Sequence, residues 1–366
     1  MIYLDHGATS FPKPGPVAAA MNRALFTCAN PGRGGHLPAM EAARAVYACR
    51  ERAANLFDCK PEQVVFTGSC THGLNIALRT LVSPGDPVVI SGFEHNAVLR
   101  PLHGLGAKIT VAGRRLFEPE DTVAAFEKAL QNGAKVAVFT HISNVFGYIL
   151  PVDELSHLCK KYEVPFVIDA AQSAGCLPVK LTELGADFIA MPGHKGLLGP
   201  QGTGLLLCGR MPQPLLYGGT GSHSASWEMP DWLPDLLEAG TVNVPGIAGL
   251  ERGMTLAETG MQQHHTAAAR EASQCARQLE RLGFRVFHGR HQSGTVSFVP
   301  KGDCELFAQR LGEKGIAVRA GLHCAPLAHE SAGTAASGTV RISYGRDASA
   351  RQTQALLRAI KTLPEQ

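Results

Sequence analysis

From about residue 64 to 210, short apolar runs alternate with amphipathic segments. Val64-Val65-Phe66-Thr67 reads as a strand, and a helix follows over 71–82, closed by Ser83-Pro84-Gly85-Asp86. Val88-Val89-Ile90 and Val136-Ala137-Val138-Phe139 read as further strands. A helix at about 152–162 leads into Phe166-Val167-Ile168-Asp169, and Asp187-Phe188-Ile189-Ala190 and Gly204-Leu205-Leu206-Leu207 come next. Several of these strands are apolar on both faces, as a sheet covered by helices on both sides requires. The pattern predicts an α/β fold with a largely parallel sheet. Around 210–246 regularity stops, Pro and Gly are frequent, and both tryptophans, Trp227 and Trp232, occur there. A long helix is expected from near Gly246, and residues 270–366 read as helix, strand, helix, strand, a smaller α+β part. The first 14 residues, Pro-rich at their end, are expected to pack as an arm. The expected division is a large domain over 15–250 and a small one built from 1–14 and 251–366. No low-complexity linker separates them, which predicts an intimate interface.

Composition narrows the function classes. A length of 366 residues favours two domains, and 45% hydrophobic with 18% charged residues reads as globular. The formal charge is only +3 and no Lys/Arg block stands out, so neither nucleic acid nor an anionic membrane is an expected partner. No apolar run reaches the roughly 18 residues of a membrane span, and Met1-Ile2-Tyr3-Leu4-Asp5-His6 does not look like a signal peptide. The ten cysteines are scattered without a CxxC pair, which suits reduced thiols in a cytoplasm and no metal site. The His264-His265 and His288/His291 pairs read as solvated surface.

Ligands of open α/β sheets bind at the carboxyl ends of the strands, and four segments there carry unusual polar residues. Thr67-Gly68-Ser69-Cys70-Thr71-His72-Gly73 places small residues and hydroxyls at a helix N-terminus, which suits a phosphate or a plain helix cap. Asp169 ends an apolar strand, where it either caps the next segment or pairs with a buried cation such as a pyridinium nitrogen. Lys195, in Pro192-Gly193-His194-Lys195-Gly196, follows another strand and either lies on the surface or bonds an aldehyde. One helix and one strand separate Asp169 from Lys195, which brings both to the same sheet edge. His95, in Glu94-His95-Asn96-Ala97, can stack on an aromatic ring or cap a helix.

In this order and spacing the segments resemble the pyridoxal phosphate (PLP) dependent class V aminotransferase family. The resemblance runs from Tyr3-Leu4-Asp5 to Arg341 and is strongest to the cysteine desulfurases and selenocysteine lyases. Residues Asn30-Pro31-Gly32-Arg33-Gly34-Gly35-His36 and Glu238-Ala239-Gly240-Thr241-Val242-Asn243 also fit that branch. The resemblance implies fold type I of the PLP enzymes, a mostly parallel seven-stranded sheet plus a smaller α+β domain. It implies that Lys195 carries PLP and moves protons, Asp169 pairs with the ring nitrogen, His95 stacks on the ring and Gln172 bonds the ring hydroxyl oxygen. It further implies that Cys70, Thr71 and His194 surround the phosphate and that Thr241 reaches it from the partner subunit of a homodimer. Asn144, Arg341 and Arg33 are implied to hold the substrate, an Arg fork meeting its carboxylate. Pro192 and Cys70 depart from the family by standing where hydroxyls are usual, which predicts somewhat weaker PLP retention.

Arg319-Ala320-Gly321-Leu322-His323-Cys324-Ala325-Pro326 resembles the loop that carries the nucleophilic cysteine of desulfurases. A thiolate is the nucleophile, and Arg319 and His323 stand close by in sequence. The implied reaction converts L-cysteine to L-alanine and leaves the sulfur as a persulfide on Cys324, for a possible sulfur-acceptor protein. L-selenocysteine to alanine plus selenide is the alternative on the same machinery. An aminotransferase that does not use Cys324, or a PLP-binding protein without catalysis, would retain the fold and lose this reaction.

Overall fold

The computed structural model describes residues 1–32 and 34–363, and its largest sheet has seven strands. Their spatial order is Val64–Thr67, Gly204–Cys208, Phe188–Pro192, Phe166–Asp169, Val136–Thr140, Pro87–Ser91 and Lys108–Ala112. Only Gly204–Cys208 runs antiparallel to its neighbours; the other pairings are parallel. Central strands such as Val136–Thr140 and Gly204–Cys208 are buried at every position, which is why they read as continuous apolar runs. The seventh strand, Lys108–Ala112, is the one the apolar runs do not mark. It lies at the sheet edge with Lys108, Ile109 and Thr110 exposed, so solvent rather than a helix covers it.

Each face of this sheet has its own core. One gathers Phe126, Phe139, Phe166, Leu155 and Met254, the other Leu74, Leu78, Val98, Val138 and Leu206. The helix Cys70–Leu81 turns its apolar side onto the second face and is capped by Ser69, whose side chain accepts from the His72 amide. Helix Val152–Lys161 agrees with the sequence pattern, and Val244–Glu258 begins close to the expected Gly246. Between Gly204–Cys208 and Val244–Glu258 the described residues form no helix or strand, as the Pro- and Gly-rich stretch predicts.

A second sheet is antiparallel, ordered Arg319–Gly321, Thr339–Ser343, Thr295–Val299 and Arg285–Phe287. It packs with the helices Met261–Arg281, Cys304–Glu313 and Ala350–Lys361 around Leu4, Phe298, Leu311 and Ile342. Here the simple helix, strand, helix, strand reading falls short. Arg285–Phe287 and Thr295–Val299 form a hairpin, and the chain closes on the amphipathic helix Ala350–Lys361, which buries Thr353, Leu356 and Ile360. Strands of three residues are too brief to show a period of two, which hides them in the sequence.

The N-terminal segment joins this second body. Ile2–Tyr3 pairs in parallel with Ile316–Ala317, and the Leu4 amide donates to the Ala317 carbonyl while its own carbonyl accepts from the Ser343 amide. The chain then crosses toward the large sheet, where the Ser10 amide and hydroxyl and the Lys13 ammonium all bond the His194 carbonyl. The arm therefore spans the gap between the two sheets beside Lys195.

Candidate active site

Asp169 ends its strand 3% exposed. Its Oδ1 accepts from the Ala171 amide at 2.9 Å, which is the capping role, and from the Cys70 thiol at 3.4 Å. Among the described residues both bonds fall on Oδ1, so Oδ2 remains for another donor. Burial of this carboxylate needs a positive partner. Lys195 is near enough for the two charges to act on each other. Desolvation lowers the Lys195 pKa, Asp169 and Cys70 oppose that, and Arg341 and Arg319 add to it. The result is an amine that gives up its proton more readily than an ordinary lysine, as bonding to an aldehyde requires.

His95 is the N-cap of helix Asn96–Gly104, its Nδ1 accepting the Ala97 amide at 3.0 Å. Burial, partly offset by Asp169, lowers its pKa, so the neutral ring carries its proton on Nε2. Glu94, given no role by the sequence reading, fixes this corner. It is fully buried, accepts from the Thr140 amide at 2.8 Å and from the Ser91 hydroxyl, and burial raises its pKa to about 8. A neutral carboxyl thus ties the His95 turn to the neighbouring strand.

The Cys324 loop reaches the same place from the second sheet. The Asn96 amide, one residue after His95, donates to the Cys324 carbonyl at 2.7 Å, and Asn144 Nδ2 donates to the His323 carbonyl at 2.8 Å. Arg341 Nη1 donates to the Asn144 carbonyl at 3.0 Å and Nη2 pairs with Asp5 at 2.8 Å. Arg341 is 2% exposed, and its Nε–H is buried without a partner among the described residues. Cys324 is the only exposed cysteine of the ten. Burial raises the pKa of Cys49, Cys59, Cys159, Cys176, Cys208 and Cys275, which keeps them as thiols.

A cavity of about 550 Å³ opens on Lys195, lined also by Gln172, Ser10, His264, His265 and Arg346. Gln172 Nε2 donates to the Gly7 carbonyl at 3.0 Å. His264 and His265 are therefore not solvated surface: they begin the helix Met261–Arg281 on the side facing the gap between the sheets, and Arg346 Nε donates to His264 Nε2. The other expected residues are more scattered. The Cys70 side chain turns inward to Asp169, and burial, with this carboxylate adding to it, raises its pKa well above the usual value. Thr71 is exposed in the first helical turn. His194 Nδ1 lies 3.1 Å from the Thr9 hydroxyl, and burial lowers its pKa to about 4. Thr241 is exposed, three residues before the helix Val244–Glu258, and no described bond joins it to the Lys195 group. Arg33 lies outside the described residues.

The residues present fit PLP. A buried carboxylate with a spare oxygen suits a protonated ring nitrogen, a desolvated lysine suits the aldehyde, and the amides at the start of Cys70–Leu81 suit a phosphate. Among the described residues no helix is long and apolar enough to cross a membrane, and no group of three or more His, Cys, Asp or Glu side chains is placed to hold a metal ion.

The family model for aminotransferase class-V matches residues 2–356. A probable cysteine desulfurase of Pseudomonas aeruginosa is 35% identical over 369 residues, covering 94% of this chain and 89% of the relative. A probable cysteine desulfurase of Methanothermobacter thermautotrophicus is 31% identical over 378 residues, covering 93% and 89%. Among solved structures, the apo cysteine desulfurase of Thermococcus onnurineus superposes with a TM-score of 0.91 at 31% identity, covering 98% of this chain and 94% of that one.

Proposed function

Since the chain belongs to the aminotransferase class-V family, we propose that it is a PLP-dependent cysteine desulfurase, converting L-cysteine to L-alanine with the sulfur left on Cys324. The observation that carries the reading is the placement of Cys324. It is the one exposed cysteine, and its backbone is bonded to the turn that holds His95. The name cysteine desulfurase, borne by relatives and solved neighbours, supports sulfur over selenium as the atom transferred.

Bound PLP supplies an electron sink for the substrate carbons. Lys195 would hold it, Asp169 Oδ2 would accept from its ring nitrogen, and Gln172 and the first amides of Cys70–Leu81 would bond its hydroxyl and phosphate oxygens. Arg341, with its unpaired Nε–H, would meet the substrate carboxylate, and Asn144 would hold the adjoining loop. Lys195, neutral when its proton is released, would serve as the base, and His95 presents a proton on Nε2. Cys324 would attack the substrate sulfur. An S–S bond forms as the Cβ–S bond breaks, the electron pair stays with the carbon skeleton, and a proton delivered there completes alanine. We further propose that the enzyme acts as a homodimer, with Thr241 contributed across the interface, and that a sulfur-acceptor protein takes the persulfide.

Purified holoenzyme incubated with L-cysteine and an added dithiol, which reduces the persulfide and is itself oxidised to the disulfide, is expected to form alanine and sulfide in equal amounts. In Cys324→Ala, cysteine turnover should fall by at least a hundredfold (about 2.7 kcal/mol of barrier), while the yellow cofactor band persists. Wild-type turnover in that variant would overturn the assignment of Cys324.

A further inference from the structure

Arg319 and Arg341 stand directly opposite each other on neighbouring antiparallel strands. Two guanidinium groups at such a cross-strand pair repel. One carboxylate, from the far end of the chain, lies between them. Asp5 Oδ1 is 2.8 Å from Arg341 Nη2, and Asp5 Oδ2 is 2.9 Å from Arg319 Nη2. Arg319 Nε also donates to Oδ2, at 3.0 Å. Asp5 is itself 8% exposed and Arg341 2%, while Arg319 is half-exposed, so the three charges form a group that is buried at the Asp5–Arg341 end and carries a net charge of one positive unit.

The arm locks this group in place. The Ser343 amide donates to the Leu4 carbonyl, the Gly7 amide donates to the Ser343 hydroxyl at 2.8 Å, and the Gly7 carbonyl holds Gln172. A side chain at Gly7 would stand 3.2 Å from the Arg341 Cζ, so the arm lies directly on the guanidinium. Arg341 has spent its two terminal nitrogens on Asp5 and the Asn144 carbonyl, and its buried Nε–H has no partner among the described residues. The Nε–H is therefore a buried donor without a partner, and one unit of positive charge is left for a ligand.

We infer that Asp5 is a specificity-determining residue that sets the site for amino acids with a single carboxylate. The inference rests on the reading of Arg341 as the carboxylate anchor. A monocarboxylate balances the remaining charge and takes the free Nε–H. A second carboxylate on the same ligand would find Arg319 already neutralised and would face the Asp5 anion. A device that refuses a second carboxylate narrows the substrate to amino acids with an uncharged side chain.

The test uses propionate and succinate, which carry one and two carboxylates and no amine, titrated into the holoenzyme by calorimetry. Wild type is expected to bind propionate more tightly than succinate. Asp5→Asn raises the net charge of the group to two and should shift the succinate-to-propionate affinity ratio toward succinate by on the order of tenfold or more, the worth of one charge-assisted bond. Arg319→Gln, at a half-exposed position, lowers the net charge to zero and should weaken propionate binding on the order of tenfold. The double variant returns to one positive unit and should recover the wild-type preference. A ratio in Asp5→Asn within twofold of wild type overturns the inference. If Asp5→Asn does not fold, unchanged propionate affinity in Arg319→Gln overturns it equally. None of these titrations needs cysteine turnover. Absence of alanine from L-cysteine would sink the desulfurase reading and leave the charge device standing; normal alanine formation with an unmoved ratio would do the reverse.

Discussion

Arg341 keeps a charge at 2% exposure because Asp5 stands 2.8 Å away, and removing the arginine does not strand that carboxylate, since Arg319 remains bound to it. Arg341→Ala should therefore fold and still show the cofactor band. It loses the charge-assisted bond to the substrate carboxylate, worth about 1.5–3 kcal/mol, so KM for cysteine should rise about tenfold or more. A KM within twofold of wild type would remove Arg341 from the substrate site. At this scale the sequence was legible wherever a polar residue ends an apolar strand, because burial makes such a residue conspicuous. Asp169, Lys195 and His95 are legible that way, and the structure brings them within electrostatic reach of each other. Asp5 was not. Its partners lie in strands more than three hundred residues away, and nothing in the local pattern marks a carboxylate whose function depends on a tertiary contact. Glu94 was not legible either, since only its complete burial in the fold reveals it.

The Cys324 loop shows how one element is held in an unfavourable shape. His323 and Cys324 both adopt left-handed backbone angles, φ 50° and 56°, which side chains other than glycine and asparagine rarely take. Asn96 and Asn144 hold the two carbonyls, and His323 Nε2 lies 3.2 Å from the Thr339 carbonyl, which can only accept, so the ring proton sits there. Behind it His329 is fully buried, with Nδ1 2.8 Å from the Thr334 hydroxyl. Burial lowers the pKa of His329 to about 4 and, with Arg341 and His329 adding to it, that of His323 to about 2. A histidine depressed in the folded state binds fewer protons there than when unfolded, so stability is full above the ordinary value of about 6.5 and drains away as pH falls below it. For His329 alone the loss by pH 4.5 is roughly 2–3 kcal/mol. The variant His329→Gln still offers Thr334 a partner and cannot titrate. Its melting temperature should fall less between pH 7 and pH 4.5 than that of wild type; equal falls would show that the pair does not govern acid stability. This loop was legible only through the resemblance of Arg319–Gly321 and its sequel to a known motif, since no periodicity announces it. The long strands were legible from burial alone, whereas the edge strand Lys108–Ala112 and the hairpin at Arg285–Phe287 were not.

For the whole molecule, the surface that a single chain leaves uncovered bears on the proposed homodimer. Helix Gly15–Thr27 packs on Val244–Glu258 yet turns Leu25 and Phe26 outward, and helix Leu37–Phe57, beside it, exposes Leu37, Met40 and Tyr47. The irregular stretch that ends at Thr241 exposes Leu216, Tyr217 and Trp227. Scattered exposed apolar residues are ordinary, but large ones grouped on two adjacent helices and the segment leading into a third are what an interface requires. The sequence pattern hinted at this only by its loss of regularity around both tryptophans, because an apolar residue destined for a partner reads the same as one destined for the core. A C2 pairing would bring Thr241 of one copy toward the Lys195 group of the other, supplying a contact that the single chain does not make. Phe26→Asp combined with Trp227→Glu puts two charges where two large aromatic anchors stood. Aromatic anchors of this kind each carry about 2 kcal/mol or more, so the dimer dissociation constant should rise roughly a thousandfold. Both side chains are exposed in the monomer, so circular dichroism and the melting transition of the dissociated chain should remain those of a folded protein. Light scattering combined with activity decides the matter: wild type should scatter as a dimer and the double variant as a folded monomer with weakened PLP retention. A wild type that is monomeric at assay concentration with full turnover would leave the active site complete within one chain, and Thr241 would then have no part in holding the cofactor.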